Sequence, residues 1–89
     1  MQLARVIGDV VATIKDPNFD SIKLLLVQPI ASDGKDVGRP LVAVDAVGAG
    51  VGETVLIVSG SSARMAAGMK DTPVDAAVVG IIDSVDLSE

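Results

Sequence analysis

The chain has no histidine and no cysteine, and Phe19 is its only aromatic residue. Each absence removes a class of function. Without His or Cys, neither a Ser-His-Asp nor a Cys-His nucleophile can be assembled. A transition-metal site would rest on carboxylates alone, and a disulfide scaffold is excluded. One Phe, with no Trp or Tyr, provides no row of stacking platforms for single-stranded nucleic acid. Cations are scarce as well. Seven Lys and Arg against twelve Asp and Glu give a net charge of −5, a sign that repels phosphate backbones. Long apolar runs are also missing. The longest, Ala76–Ile82, is bracketed by Asp75 and Asp83, well short of the roughly 18 residues a bilayer-crossing segment needs. Asp9 falls where a signal peptide would be apolar, and no cleavage-like site follows. The expectation is an untargeted cytoplasmic protein, with no membrane or nucleic-acid partner.

What is present points to assembly. A length of 89 residues has room for one domain, residues 1–89. Hydrophobic residues make up 49% of the chain, and mean hydropathy is +0.56, almost all of it from Val, Ala, Leu and Ile. A small domain leaves much of its chain at the surface, so this apolar excess predicts burial against further copies of the chain.

The patterning reads as strands. Ala4, Val6, Gly8, Val10, Ala12 and Ile14 alternate with a mixed set, so this stretch is expected to bury one face, with a bend or bulge at Gly8. Asp16–Ser21 reads as a turn. Ile22–Ile30 is a second strand and Ala31–Arg39 a polar loop. Pro40–Ala46 is a third strand, Thr54–Ser59 a fourth and Val74–Val85 a fifth. Ser61–Lys70 breaks the period and predicts a short helix, capped by Ser61 or Ser62 and ended by Pro73. No crossover helix joins successive strands. The expected fold is therefore all-β: a five-stranded, OB-like antiparallel barrel, partly open, with one short helix between the last two strands. Several strands are apolar on both faces, whereas a barrel needs only its inner face apolar. The outer faces call for another subunit.

One stretch, DAVGAGVGETVLIVSGSSAR over residues 45–64, has the look of chemistry. As a dinucleotide fingerprint, Gly48-Ala-Gly-Val-Gly52 fails at Glu53, where a glycine or alanine belongs, and a β-rich run follows in place of a helix. The plainer reading is a strand connection that uses left-handed glycines, with a loop lining a pore or a contact as the alternative. As a nucleophile elbow, Gly60-Ser-Ser-Ala-Arg64 fails at Arg64 and lacks a base, the nearest lysine being Lys70 at the far end of the expected helix. It reads better as a serine-capped helix start, with a small-anion site assisted by Arg64 as the alternative. Asp33 and Asp36 share a loop without an EF-hand register around them. Asp45 and Asp75 interrupt apolar runs, so each needs amide or arginine partners. Capping of nearby loop amides is one account; pairing with Arg64 or Arg5 is the other.

Several stretches together resemble one family. LARVIGDVVATIK, KLLLVQP, VAVDAVGAGVGE, VLIVSGSSAR and PVDAAVVGIIDSV span nearly the whole chain. In this order and spacing they are similar to the bacterial microcompartment vertex family, also called the EutN/CcmL family. The loop Ala31–Arg39 is the one region of departure. The resemblance implies an OB-like barrel that assembles as a homopentamer and seats at the vertices of polyhedral shells, beside hexameric shell proteins. It implies a structural role without catalytic residues, cofactor or metal. It places Gly48, Ala49 and Gly50, together with Gly60, Ser61, Ser62, Ala63 and Arg64, at subunit boundaries or the pentamer axis. A module binding single-stranded nucleic acid or a small anion is the competing reading, suggested by the OB-like fold and opposed by the residues. If Arg64 bridges to a neighbouring subunit, Arg64→Ala will lower the stability of the assembled oligomer to dilution. An unchanged dissociation curve would remove that role.

Overall fold

The computed structural model describes residues 1–13, 15, 22–60, 63 and 75–88. Its strands are β1 (Gln2–Val10), β2 (Leu24–Pro29), β3 (Leu41–Asp45), β4 (Thr54–Ser59) and β5 (Ala76–Ile81). They close into a barrel in the order β1-β2-β3-β5-β4, with β4 returning to β1 through Gln2–Arg5 against Thr54–Ile57. The all-β, OB-like expectation holds, with two corrections. The barrel is closed, not partly open. Nor is it wholly antiparallel: β3 and β5 run parallel, paired only at Val44↔Ala77 and Asp45↔Val78. The parallel pair follows from topology, since β4 lies outside the β3–β5 contact and the chain re-enters from the same end.

The interior explains the composition. Ala4, Val6, Leu25, Val27, Ala43, Ala49, Val55, Ile57, Ala76 and Val78 form one buried cluster. A barrel of so few strands has a narrow bore, and side chains no larger than Leu or Ile fill it. Aromatic rings have no place there, which accounts for their scarcity.

A second buried cluster lies outside the sheet. Val44, Val58, Ala63 and Ala77 pack together, with Ile22, Leu24 and Val79 against them. Leu24↔Val44, Val44↔Ala77 and Ala77↔Val58 are register partners, so these residues form one row across the outer face. Part of the outer apolar surface is therefore covered by the chain itself, around Ala63. The helix expected over Ser61–Lys70 lies outside the described residues except at Ala63, which is helical, as is Gly60 before it.

Gly8 marks a bulge, as its position in the alternation predicts. Val6 pairs with Val27 and Gly8 with Leu26, leaving Ile7 as the extra residue. The bulge also corrects the one-face reading of this strand. Val27 points inward and is fully buried, whereas Leu26 is only half-buried. Val6 is thus inside, while Gly8 and Val10 join the outer side opposite Leu26 and Leu24. A one-residue slip moves every later side chain to the other face. The remaining strands lie inside their expected bounds; β5 stops at Ile81, so Val85 is not part of it.

Leu25 is fully buried in the bore. Leu25→Ala is expected to cost about 3 kcal/mol, because it combines lost transfer energy with a cavity that a closed sheet relaxes into poorly. Urea unfolding of the two chains at equal concentration measures it; a cost below about 1 kcal/mol would show that the bore collapses around the gap.

Candidate functional site: the glycine loop and its carboxylates

The loop from Ala46 to Glu53 joins β3 to β4 across one mouth of the barrel. Its backbone is tied down at several points. Ala46 N donates to Val78 O (3.2 Å), Gly52 N to Val6 O (2.9 Å), Glu53 N to Gly50 O (3.2 Å), and Val6 N to Glu53 O (2.9 Å). Gly48 and Gly52 have φ of 81° and 92°, the left-handed region where a Cβ is strained. Between them, Ala49 turns inward and is fully buried in the bore cluster. The loop is a lid over the barrel end, with Ala49 as its plug.

Two carboxylates hold this lid. Asp45 Oδ1 accepts from Val47 N and from Gly48 N, both at 3.0 Å. Glu53 Oε1 accepts from Gly50 N at 2.7 Å, a charge-assisted bond. The capping account of Asp45 is thereby met. These bonds also settle the phosphate-cradle reading physically. A cradle needs free amides aimed at an anion, and here the amides of Gly48 and Gly50 are already taken by side-chain anions.

The Asp45 carboxylate is 1% exposed, with Lys23 Nζ 3.8 Å from its Oδ2. The same ammonium donates to Ala49 O at 3.0 Å. Lys23, on the approach to β2, thus offsets the buried charge and ties β2 to the lid at once. Asp45 Oδ2 makes no hydrogen bond, so the ion pair is its chief compensation. Sequence reading did not single out Lys23. Its only local signal is a lone cation heading the apolar run of β2, and its partners are 22 and 26 residues away in the chain. Arg5, expected as a partner for Asp45 or Asp75, instead donates to Asp36 Oδ1 at 3.1 Å. That pins the Ala31–Arg39 loop to β1. Gln28, buried on β2, donates to the carbonyls of Pro29 and Gly38 and holds the same loop from below.

Of the second cluster of expected site residues, Ser61, Ser62 and Arg64 lie outside the described residues. Gly60 is exposed, with φ of 64°, and its amide donates to Asp75 O at 3.0 Å. Asp75 itself is exposed. Ala63 is fully buried in the outer cluster, whereas Ala49 is buried in the bore. The structure thus brings Gly48, Ala49 and Gly50 into one loop, and keeps the two alanines in different clusters. Among the described residues no group of three or more His, Cys, Asp or Glu could hold a metal, and no helix is long and apolar enough to cross a membrane.

Residues 1–83 match the family model described as ethanolamine utilisation protein EutN/carboxysome. The chain belongs to the EutN/CcmL family. It is 52% identical to the carboxysome shell vertex protein CcmL of Synechocystis, over 99% of this chain and 88% of that protein. It is 47% identical to the bacterial microcompartment shell vertex protein EutN of Salmonella typhimurium, over 96% of this chain and 86% of its relative. The structure of GrpN, a pentameric microcompartment shell protein from Rhodospirillum rubrum, superposes with a TM-score of 0.89. It is 43% identical, covering 99% of this chain and 100% of that one. The barrel described above is therefore this family's barrel.

Within it, the carboxylate at position 45 has a structural task. Asp45→Ala would leave the Val47 and Gly48 amides without their acceptor and Lys23 without its counter-charge. The expected cost is about 2 kcal/mol in urea unfolding, with Asp45→Asn milder because one amide acceptor survives. Equal stability of all three chains would mean that the lid is held by its backbone bonds alone.

Proposed function

We propose that this protein is a bacterial microcompartment shell vertex protein, with the whole of residues 1–89 acting as one vertex domain. Five copies close into a homopentamer that seats at the corners of a polyhedral shell in the cytoplasm, beside hexameric shell proteins. The observation that carries the reading is the match of a closed barrel, over nearly its full length, to relatives named as shell vertex proteins and to a solved pentameric microcompartment shell protein.

The physical properties of the chain support it. With the sheet closed, Ile7, Val42, Val47, Val51 and Ile81 remain among the exposed apolar side chains, surface that contact with further copies would bury. A ring of identical subunits buries such faces through a heterologous contact repeated until it closes. Hexagonal tiles by themselves form a flat sheet; a five-fold unit at each corner removes one sector and forces the curvature that closes the shell. The work is geometric, so the protein needs no catalytic group, and we assign it none, nor any cofactor. Gly48, Gly50 and Gly60, with Ser61, Ser62 and Arg64, are assigned to subunit boundaries or the pentamer axis, where small residues allow backbones to approach. Ala49 and Ala63, buried within the chain, serve the fold. The competing module for single-stranded nucleic acid or a small anion has against it the acidic balance, the single Phe and the occupied loop amides.

Light scattering after size exclusion tests the ring. Five copies of a 9.0 kDa chain give about 45 kDa, the expected closed assembly; a stable monomer at micromolar concentration would overturn the reading. Co-expression with hexameric shell proteins is then expected to yield closed particles, and omission of this chain to yield open sheets or tubes.

A further inference from the structure

Gly80 stands in the interior of β5, where a glycine weakens a strand and fills no space. Nothing in its own chain asks for it. Its φ is not left-handed, unlike that of Gly48 or Gly52. A bulge lies beside it, since Val78 pairs with Ile57 and Gly80 with Leu56, leaving Val79 as the extra residue. A bulge without left-handed backbone makes no demand for glycine. Nor is the space above it taken. A Cβ built on Gly80 meets only Leu56 Cβ, at 3.8 Å, an ordinary contact. What remains is the other use of a strand glycine, close approach from outside.

The position faces outward. Its partner Leu56 lies between Val55 and Ile57, which are buried in the bore, so Leu56 points to the outer wall. Leu56 is also opposite Leu3 on β1. Leu3, Leu56 and Gly80 thus make one row across the wall, all three half-buried and none charged. The next row, Val58 with Ala77, is packed with Ala63. The wall is therefore built up on that side and low at Gly80, an apolar notch.

The matching projection is the lid. Residues 46–52 carry no charge. Val51 is 60% exposed and Val47 41%. The lid backbone is fixed before any contact forms, by Asp45, by Glu53 and by Ala49 in the bore, so docking it costs little ordering. The same bonds hold it across its own mouth, and it cannot turn down onto its own wall.

Charge selects the occupant. A copy of this chain carries −5, and two copies repel wherever exposed carboxylates such as Asp9, Asp33, Asp75 and Asp83 face each other. A cationic partner would be drawn to those carboxylates instead. The notch and the lid are uncharged, apolar and on different parts of the barrel, which suits a heterologous contact between copies.

We propose that Val51, on the lid of one copy, seats in the notch over Gly80 of the next, against Leu3 and Leu56. The missing side chain of Gly80 is what lets the two copies meet. The contact rests on the homopentamer reading above and names one of its surfaces.

Gly80→Ala separates this role from a role in the fold. Alanine is the better strand residue, and its Cβ has room within the chain. With both chains dilute enough to be dissociated, the variant is expected to unfold at the same urea concentration as the parent or a higher one. It is nevertheless expected to need about tenfold more protein to stay assembled, as an overpacked contact would. A variant that does not fold would show that the chain itself needs the glycine, and an unchanged dissociation midpoint that nothing approaches it. Either result overturns the proposal. The absence of native cysteine allows a second test that leaves Gly80 in place. Val51→Cys/Leu56→Cys is purified reduced, sized by light scattering, mildly oxidised and run on a non-reducing gel. The expected result is a ladder of covalent species up to the pentamer, since side chains in contact lie within disulfide reach. A pool that sizes as a pentamer and gives no inter-chain bond overturns the seating of Val51 and leaves the homopentamer standing. A parent chain that sizes as a monomer overturns both.

Discussion

Closure of the sheet on itself through the short parallel contact of β3 with β5 is the constraint on which the rest depends. Two register pairs, Val44↔Ala77 and Asp45↔Val78, complete the ring of strands. Closure turns the alternating apolar residues into a dry bore, which must then be narrow, and a narrow bore dictates Val, Ala, Leu and Ile over aromatic rings. It also places Asp45, the last residue of β3, at the barrel mouth, where its carboxylate organises the loop that seals that end.

The seal shows how a glycine-rich, serine-rich stretch can resemble a ligand site and do structural work. Left-handed backbone at Gly48 and Gly52 lets the chain turn tightly enough for Ala49 to enter the bore. The turn exposes amides, and amides left unpaired at a half-buried mouth would be costly. Asp45 and Glu53 take them. Lys23 then compensates the buried carboxylate from the neighbouring strand. The same amides that would have to receive a phosphate are thus spent on holding the lid.

Closure has a second consequence. It uses up the edges of the sheet but leaves apolar side chains on the outer surface. For a monomer that would be a liability; for a subunit of a closed ring it is material for contacts. Fold and assembly are in this sense one problem, since the barrel is small enough that its outer faces need a neighbour.

Much of this was legible in the residues. The first strand follows from period-two alternation and the other four from short apolar runs bounded by turn residues, the bulge from Gly8, and the strand connection from glycines followed by a β-rich run. These are local or compositional facts, and the ordered set of motifs was specific enough to point to the family. Three features were not legible. The parallel sense of β3 and β5 depends on which strand closes the ring. The face reversal after Gly8 depends on a register that only the partner strand reveals. The partners of Asp45 and Arg5 proved to be Lys23 and Asp36, each more than 20 residues away in the chain. Alternation along a chain says which side chains share a face, because that is set by the backbone of each strand. Which strand lies beside which, and so which charge meets which, is set only when the sheet closes.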